Sequence, residues 1–490
     1  MKKLLFGILT LLLVPLTTAA QDYNIHLRSC RPSMATQVVS RHASRRALHF
    51  CTTTTGQHRQ LVVLADFSNL QFKSNDPLVF WNRVFNEEGL SESPFYGSVR
   101  DYFLTQSYGQ FEIAFDLHYI TLADEYRKYR STDNDDENSK YLVTDIADSL
   151  QARGIDWSHY DWDGDGIIDQ MLIVYAGKGM NDGGGRNTIW PHQWWLSQHE
   201  DCAPHPVQSG DNNYYVDAYC CVQELTGQNT YGTFGTICHE YSHCFGLPDI
   251  YYGSNTYIKN WDLMDYGNNN KDGFCPPCYS AHERMLMGWL EPTELTENTV
   301  ISNMADTGQN PEAYLIRNDG HPDEFYIIEN RQQTGWDQSL PGSGIIIFHI
   351  DYDKQTWEES YPNSPTKQCY TIFPANNNSK TIYQHLWAYP QNGNNQLTND
   401  SQPSAKLLNA NTDGTMLMSK PVTDIQVNDG LASFTFTNAT ASSIDTLAGY
   451  QSQHFYDLQG RDMGNDRNLL SRGIYIIRYT NGTTRKVLRK

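Results

Sequence analysis

The chain has 490 residues, too many for one compact core, so two or three domains are expected. Its 56 acidic residues against 36 basic ones give a net charge of −20, which excludes nucleic acid as a partner, because phosphate binding needs clustered cations. No stretch is apolar for long enough to span a bilayer, so no transmembrane segment is expected.

Residues 1–20 have the layout of a secretory signal peptide. Lys2 and Lys3 form a charged start, Leu4 to Leu16 an apolar run, and Thr18-Ala19-Ala20 a small-residue cleavage site. The expected location is therefore secreted or cell-surface. Residues 21–58 are polar and irregular and read as a pro-segment, cut at Arg41, Arg45 or Arg46. Cys30 has two readings: a disulfide, for instance to Cys51, or a thiolate that fills the open position of a metal site and silences a zymogen. An exported chain with ten cysteines could form several disulfides.

Residues 59–295 alternate strand and helix patterns, as expected of an α+β catalytic domain. Leu61 to Phe67 and Met171 to Ala176 are apolar runs of buried-strand type, and Phe111 to Ile120 alternates like a half-buried strand. Helices are expected over 77–88, 97–107 and 138–153, the last with Leu142, Val143, Ile146, Ala147 and Leu150 on one face. Asp161, Asp163, Asp165 and Asp169 lie at alternate positions around Gly166, the spacing of a calcium loop. Position 12 is Leu172 rather than Glu, so a group from elsewhere must finish that site; an acidic turn without metal is the plain alternative. His192, in an aromatic run from Ile189 to Trp195, reads as an ordinary hydrogen-bonding group rather than a ligand.

The stretch Thr233 to Tyr252 carries His239-Glu240-x-x-His243. Residues four apart share one face of a helix, so both imidazoles can reach one ion, while Glu240 is placed to handle a proton on a metal-bound water. Phe234, Ile237, Tyr241 and Phe245 recur at helical spacing and would seat the helix on a core. Gly246 tolerates the left-handed turn that ends a helix, Pro248 cannot continue one, and Asp249 returns toward the histidines. Catalytic zinc takes three protein ligands and keeps a fourth position open. His239, His243 and Asp249 are therefore assigned as zinc ligands and Glu240 as general base, with Glu224, Asp262 and Asp265 as rival carboxylates. Met264, in Trp261 to Gly267, sits on a predicted tight turn, and Tyr266 is a candidate donor to the oxyanion of the tetrahedral intermediate. Cys275-x-x-Cys278 lacks a second pair, so a disulfide or free thiols are expected in place of a structural zinc. A helix over 279–290 should close the domain.

Residues 296–440 switch to short strands between Asn, Gly, Pro and Ser loops and read as an antiparallel β-rich, sandwich-like domain that walls the cleft or supports folding. Residues 441–490 form a small β tail with hairpin-like strands and a basic end.

The pattern H-E-x-x-H-x-x-G-x-x-D with a downstream Met resembles the metzincin signature with Asp in place of the third His. In order, LVVLADFSN, GSVRDYFLTQSYG, DGDGIIDQMLIVYAG, IWPHQWW, GTICHEYSHCFGLPDIY, WDLMDYG and CPPCYSAHERMLMGWLEP resemble the immune inhibitor A-like secreted metalloproteases. The likeness continues through FYIIENRQQTGWDQSLPGSGIIIFHID. It implies a secreted zinc endopeptidase with a metzincin-like catalytic domain and structural calcium, acting on proteins or peptides. The tail resembles sorting domains of the type IX secretion route, which implies outer-membrane secretion machinery as a partner. Two other functions stay open: a non-catalytic adhesin on a protease scaffold, and a zinc hydrolase of cell-wall amide bonds.

Overall fold

A strand that is apolar on both faces has to be covered on both faces. Leu61 to Ala65 is such a run, and it becomes an inner part of the main sheet as β1 (Gly56–Asp66). The computed structural model describes residues 53–131, 136–359, 361–377, 386–438, 452–464, 470–471, 473–479 and 484–489. The expected signal peptide, most of the pro-segment, Cys30 and Cys51 lie outside the described residues. β1 begins at Gly56, within the last residues of the stretch expected as a pro-segment.

The molecule is mixed α/β, with several sheets and few helices. Around β1 are β2 (Phe111–Thr121), β3 (Met171–Lys178), β4 (His192–Trp195) and β5 (Ala218–Leu225). The sheet order is β2-β1-β3-β5-β4, parallel throughout except for β4, which runs antiparallel to β5 at one edge. α1 (Pro77–Asn86), α2 (Val99–Gln106) and α3 (Ser139–Arg153) form the crossovers. α2 opens with a capping box, in which Ser98 Oγ accepts the Asp101 N–H and Asp101 accepts the Ser98 N–H. All five apolar residues expected on one face of α3 are buried.

α4 (Phe234–Ser242) carries the first half of the histidine motif and ends in a 3₁₀ turn over His243–Phe245. Gly246 closes it at φ +82°, a left-handed conformation that a side chain would strain. Gly235 lets the helix approach the Gly267–Asn269 turn, since a Cβ there would stand 1.9 Å from the Asn268 carbonyl oxygen. The expected helix over 279–290 is only α5 (Ala281–Leu286), whose Ser280–Glu283 capping box starts it sharply.

The β-rich half holds two facing sheets. β6 (Thr299–Met304), β7 (Tyr314–Arg317), β8 (Glu324–Arg331), β9 (Gly344–Asp351), β10 (Tyr370–Ile372), β11 (Val422–Asn428) and β12 (Leu431–Phe436) divide between them. One sheet has the order β10-β9-β8-β7, with residues 293–294 parallel to β7; the other is β6-β12-β11. Ile345 and Ile347 of β9 enter the core between these sheets, with Val422 and Phe434. Ile346, Phe348 and Ile350 point the other way into the main core, with α4 and β1. The strand period of two thus makes β9 a shared wall, and the core is continuous across residue 295. A third small sheet, 452–457, 473–479 and 484–489, has its own cluster of Phe455, Leu470, Tyr475 and Ile477.

None of the eight cysteines among the described residues is in a disulfide, and of the two outcomes expected for Cys275 and Cys278, a disulfide or free thiols, the structure has the thiols. Cys275 and Cys278 are buried, and burial pushes their thiols up to about 11 and about 12. Protonated thiols are poor metal ligands. No helix among the described residues is long and apolar enough to cross a membrane.

Candidate metal centre

Three side chains from two short segments converge. His239 Nε2 lies 3.1 Å from Asp249 Oδ1, and His243 Nε2 lies 3.4 Å from the same oxygen. The imidazole rings are 5.0 Å apart and nearly perpendicular, at 84°. One ligand atom from each of His239, His243 and Asp249 lies within 4.8 Å of the others. Two ligands of a tetrahedral ion with bonds near 2.0 Å stand about 3.3 Å apart. The spacing therefore fits a zinc-sized cation.

The outer contacts set the tautomers. His239 Nδ1 donates to the Leu263 carbonyl at 3.0 Å and His243 Nδ1 to the Leu247 carbonyl at 2.6 Å. With the Nδ1 protons so engaged, both Nε2 atoms face Asp249, where either a proton or a metal can sit between nitrogen and carboxylate. Burial works against a charged His239, but the hydrogen bond to Asp249 and the neighbouring carboxylates outweigh it and lift the imidazole to about 9. Asp249 is held well below the usual carboxylate range; burial opposes this, and the two histidines overcome it. The donor set thus calls for a cation, whether a metal or a proton.

Glu240 stands apart from these three converging groups. Its carboxylate is 4.0 Å from His243 Nε2 and only 8% of the residue is exposed. Burial pushes its carboxyl up, against the pull of His239 and His243, while Asp249 adds to the rise. That suits a group that must both accept and return a proton.

The turn after the helix lies under the site. Its Leu263 carbonyl orients His239, and its Met264 carbonyl accepts the Ile250 N–H at 2.9 Å, next to Asp249. Met264 is fully buried. Tyr266 follows on the same turn and is half-buried, with its backbone N–H on the Lys259 carbonyl at 3.2 Å. The rival carboxylates have other partners. Glu224 accepts the Lys73 and Gly177 N–H groups; Asp262 accepts the Met264 N–H and the Tyr370 hydroxyl. Asp265 accepts three N–H groups in a row, from Tyr257, Ile258 and Lys259. Sequence reasoning missed the Leu247 and Leu263 carbonyls, which have no side-chain signature, and Tyr251, whose ring stacks on His239 at 6.2 Å.

Asp161, Asp163 and Asp165 form a second group of carboxylates at one loop. Asp161 accepts the Gly164, Asp165 and Gly166 N–H groups, which folds the loop tightly. Asp169 is outside that group: it is buried and accepts the Trp162 N–H at 2.6 Å. His192 bonds to the Trp190 carbonyl and the Tyr219 hydroxyl, as an ordinary histidine does.

Residues 55–281 match the catalytic domain of the immune inhibitor A peptidase M6 family. That segment is a little under half of the chain and contains every group named above except Tyr370. Immune inhibitor A of Bacillus thuringiensis subsp. alesti is 26% identical over 250 residues, 42% of this chain and 36% of its own length. Pre-pro-metalloprotease PrtV of Vibrio cholerae serotype O1 is 24% identical over 290 residues, 49% of this chain and 31% of its own. The chain spans about a third of the length of these curated relatives. The solved structure of OgpA from Akkermansia muciniphila aligns over 67% of this chain and 81% of its own, at 12% identity and a TM-score of 0.31, too low to argue from. The peptidase M6 match and the relatives' names support the immune inhibitor A family and a metalloprotease.

Proposed function

We propose that the chain is a secreted zinc-dependent endopeptidase. The observation that carries this is the convergence of His239, His243 and Asp249 on one point, with the buried Glu240 carboxylate beside it. His239, His243 and Asp249 would hold the ion. When bound, zinc supplies a Lewis acid that brings the pKa of a water toward ~7 and polarises the scissile carbonyl. Glu240 takes the proton of the attacking water and returns it to the leaving amine, so the carboxylate ends the cycle as it began. Its burial favours both halves of that exchange, because a raised carboxyl pKa makes it a better base and an acid of matched strength. Tyr266 is proposed to donate its hydroxyl to the developing oxyanion. The metzincin-like reading rests on the single antiparallel edge strand β4, the histidine helix and the Met264 turn beneath it.

Calcium is proposed for the Asp161, Asp163 and Asp165 loop, where it would stiffen the lead into β3. Export by residues 1–20 and carriage by the C-terminal strands are proposed from the sequence patterns. The three-stranded antiparallel sheet at 452–489 is compatible with such a module.

The test pairs wild type with Glu240→Gln. The variant is expected to keep about one zinc per chain while caseinolytic activity falls by roughly 10²–10⁴-fold. Zinc uptake without cleavage of casein or gelatin, but with product release from peptidoglycan, would move the assignment to a cell-wall amide hydrolase. Wild type that binds no zinc would leave a non-catalytic binding protein.

A further inference from the structure

Asp249 does not sit on a helix or strand. It lies in the irregular segment after Gly246, where no backbone ladder fixes it, so the accuracy of its position has to come from packing and hydrogen bonds outside that segment. Two of those supports come from the β-rich half, more than 100 residues away in sequence. Asn363 is fully buried. Its Nδ2 donates to the Ile250 carbonyl at 3.1 Å and to the Tyr370 carbonyl at 2.7 Å, and its Oδ1 accepts the Tyr370 N–H at 3.0 Å. Ile250 is thereby gripped from both sides, its N–H on Met264 and its carbonyl on Asn363. The Tyr370 hydroxyl in turn donates to Asp262 Oδ2 at 3.1 Å, while Asp262 Oδ1 accepts the Met264 N–H at 2.8 Å. The carbonyl between those two residues, that of Leu263, is the one that orients His239.

We propose that the β-rich half completes the outer shell of the metal centre: Asn363 positions the backbone that carries Asp249, and Tyr370 positions the turn that orients His239. This rests on the zinc reading above and adds to it two positioning residues that lie outside the peptidase M6 segment. Neither touches the ion. Outer-shell partners of metal ligands typically govern metal affinity by 10–100-fold, because ligands that wander lose the geometry the ion selects.

The test uses the full chain and three variants. Asn363→Asp is isosteric: it keeps the acceptor for the Tyr370 N–H and removes the donor to the Ile250 and Tyr370 carbonyls. Tyr370→Phe removes only the hydroxyl. Asn330→Asp is the control, since Asn330 is equally buried and donates to the Met304 and Gly430 carbonyls, within the β-rich half. Zinc affinity is measured by competition with a chromogenic chelator, and the site geometry is followed through the visible spectrum of the cobalt-substituted protein. Asn363→Asp and Tyr370→Phe should each weaken zinc about tenfold and alter the cobalt bands. Asn330→Asp should lose thermal stability and leave both readouts at the wild-type values. If Asn363→Asp does not fold, Tyr370→Phe decides on the same criteria. Wild-type affinity and spectrum in the variants, with zinc bound normally by the parent, would overturn this inference alone. A parent that binds neither metal would end the zinc reading and this inference together.

Discussion

At the scale of residues, the pattern that spaces His239, Glu240, His243 and Asp249 was readable because each role needs a particular side chain. The Leu247 and Leu263 carbonyls were not, because every residue carries one and only the fold chooses which is used. Glu137 shows a different kind of blindness. It reads as one of many surface acids, yet in the fold it meets His199 Nδ1 at 3.5 Å and Lys140 Nζ at 3.1 Å. Burial raises its carboxyl, but those two partners outweigh it and bring it down to about 2. Between about 2 and the ordinary 4.5 the unfolded chain binds more protons than the folded one. Stability from this group is therefore complete above pH ~4.5 and is lost as the pH falls toward 2. Because the group is partly exposed, Glu137→Gln should cost about 1–2 kcal/mol in urea unfolding at pH 6. That gap should narrow steadily from pH 5 to pH 3; a gap that stays the same would count against the pairing.

At the scale of elements, helices and strands with one buried face were predicted within a few residues, since period and burial coincide. β5 was passed over for a physical reason. Ala218-Tyr-Cys-Cys-Val-Gln-Glu-Leu225 is buried on both faces, so it has no alternation, and its polar Gln223 and Glu224, both buried, interrupt the apolar run that would mark a buried strand. The acidic loop after α3 was plain from its spacing, but the chain brings only three of the four aspartates together. Its proposed calcium can be examined as an element-level stabiliser. In the zinc-loaded protein, millimolar calcium should raise the thermal midpoint by a few degrees, the shift expected for about 1–3 kcal/mol of ligand binding energy. Asp163→Asn should abolish the rise while keeping the loop's hydrogen-bond acceptor. Equal shifts in both proteins would remove calcium from this loop.

At the scale of the whole molecule, the two halves share one core and one buried ionic network. Arg331 is fully buried and makes two bonds to Asp337, at 2.7 Å each, and one to Glu329 at 3.3 Å. It also donates to the Cys278 carbonyl, while Asp337 accepts the Cys278 N–H and Glu329 the Ala281 N–H. The network thus ties β8 to the segment leading into α5, across the border where composition changes. Removing one partner of a buried pair leaves an uncompensated charge, so Arg331→Ala should cost about 3–5 kcal/mol. Calorimetry of the wild type should show residues on both sides of 295 unfolding in one transition. A loss under ~1 kcal/mol, or two well-separated transitions, would show that the halves stand independently.

By itself the sequence determined which side chains are proposed to hold the metal, the helix that presents two of them, and the change from mixed α/β to β-rich structure near residue 296. Each of these follows from local spacing, from residue type, or from a period of two or 3.6. Only the tertiary structure decided which carbonyls hold the histidines, which carboxylates are occupied elsewhere, and that Asn363 and Tyr370 bond to the segments around His239 and Asp249 from beyond residues 55–281. Those are contacts between residues far apart in the chain. They arise from the packing of β9 into two cores at once, which no local pattern encodes.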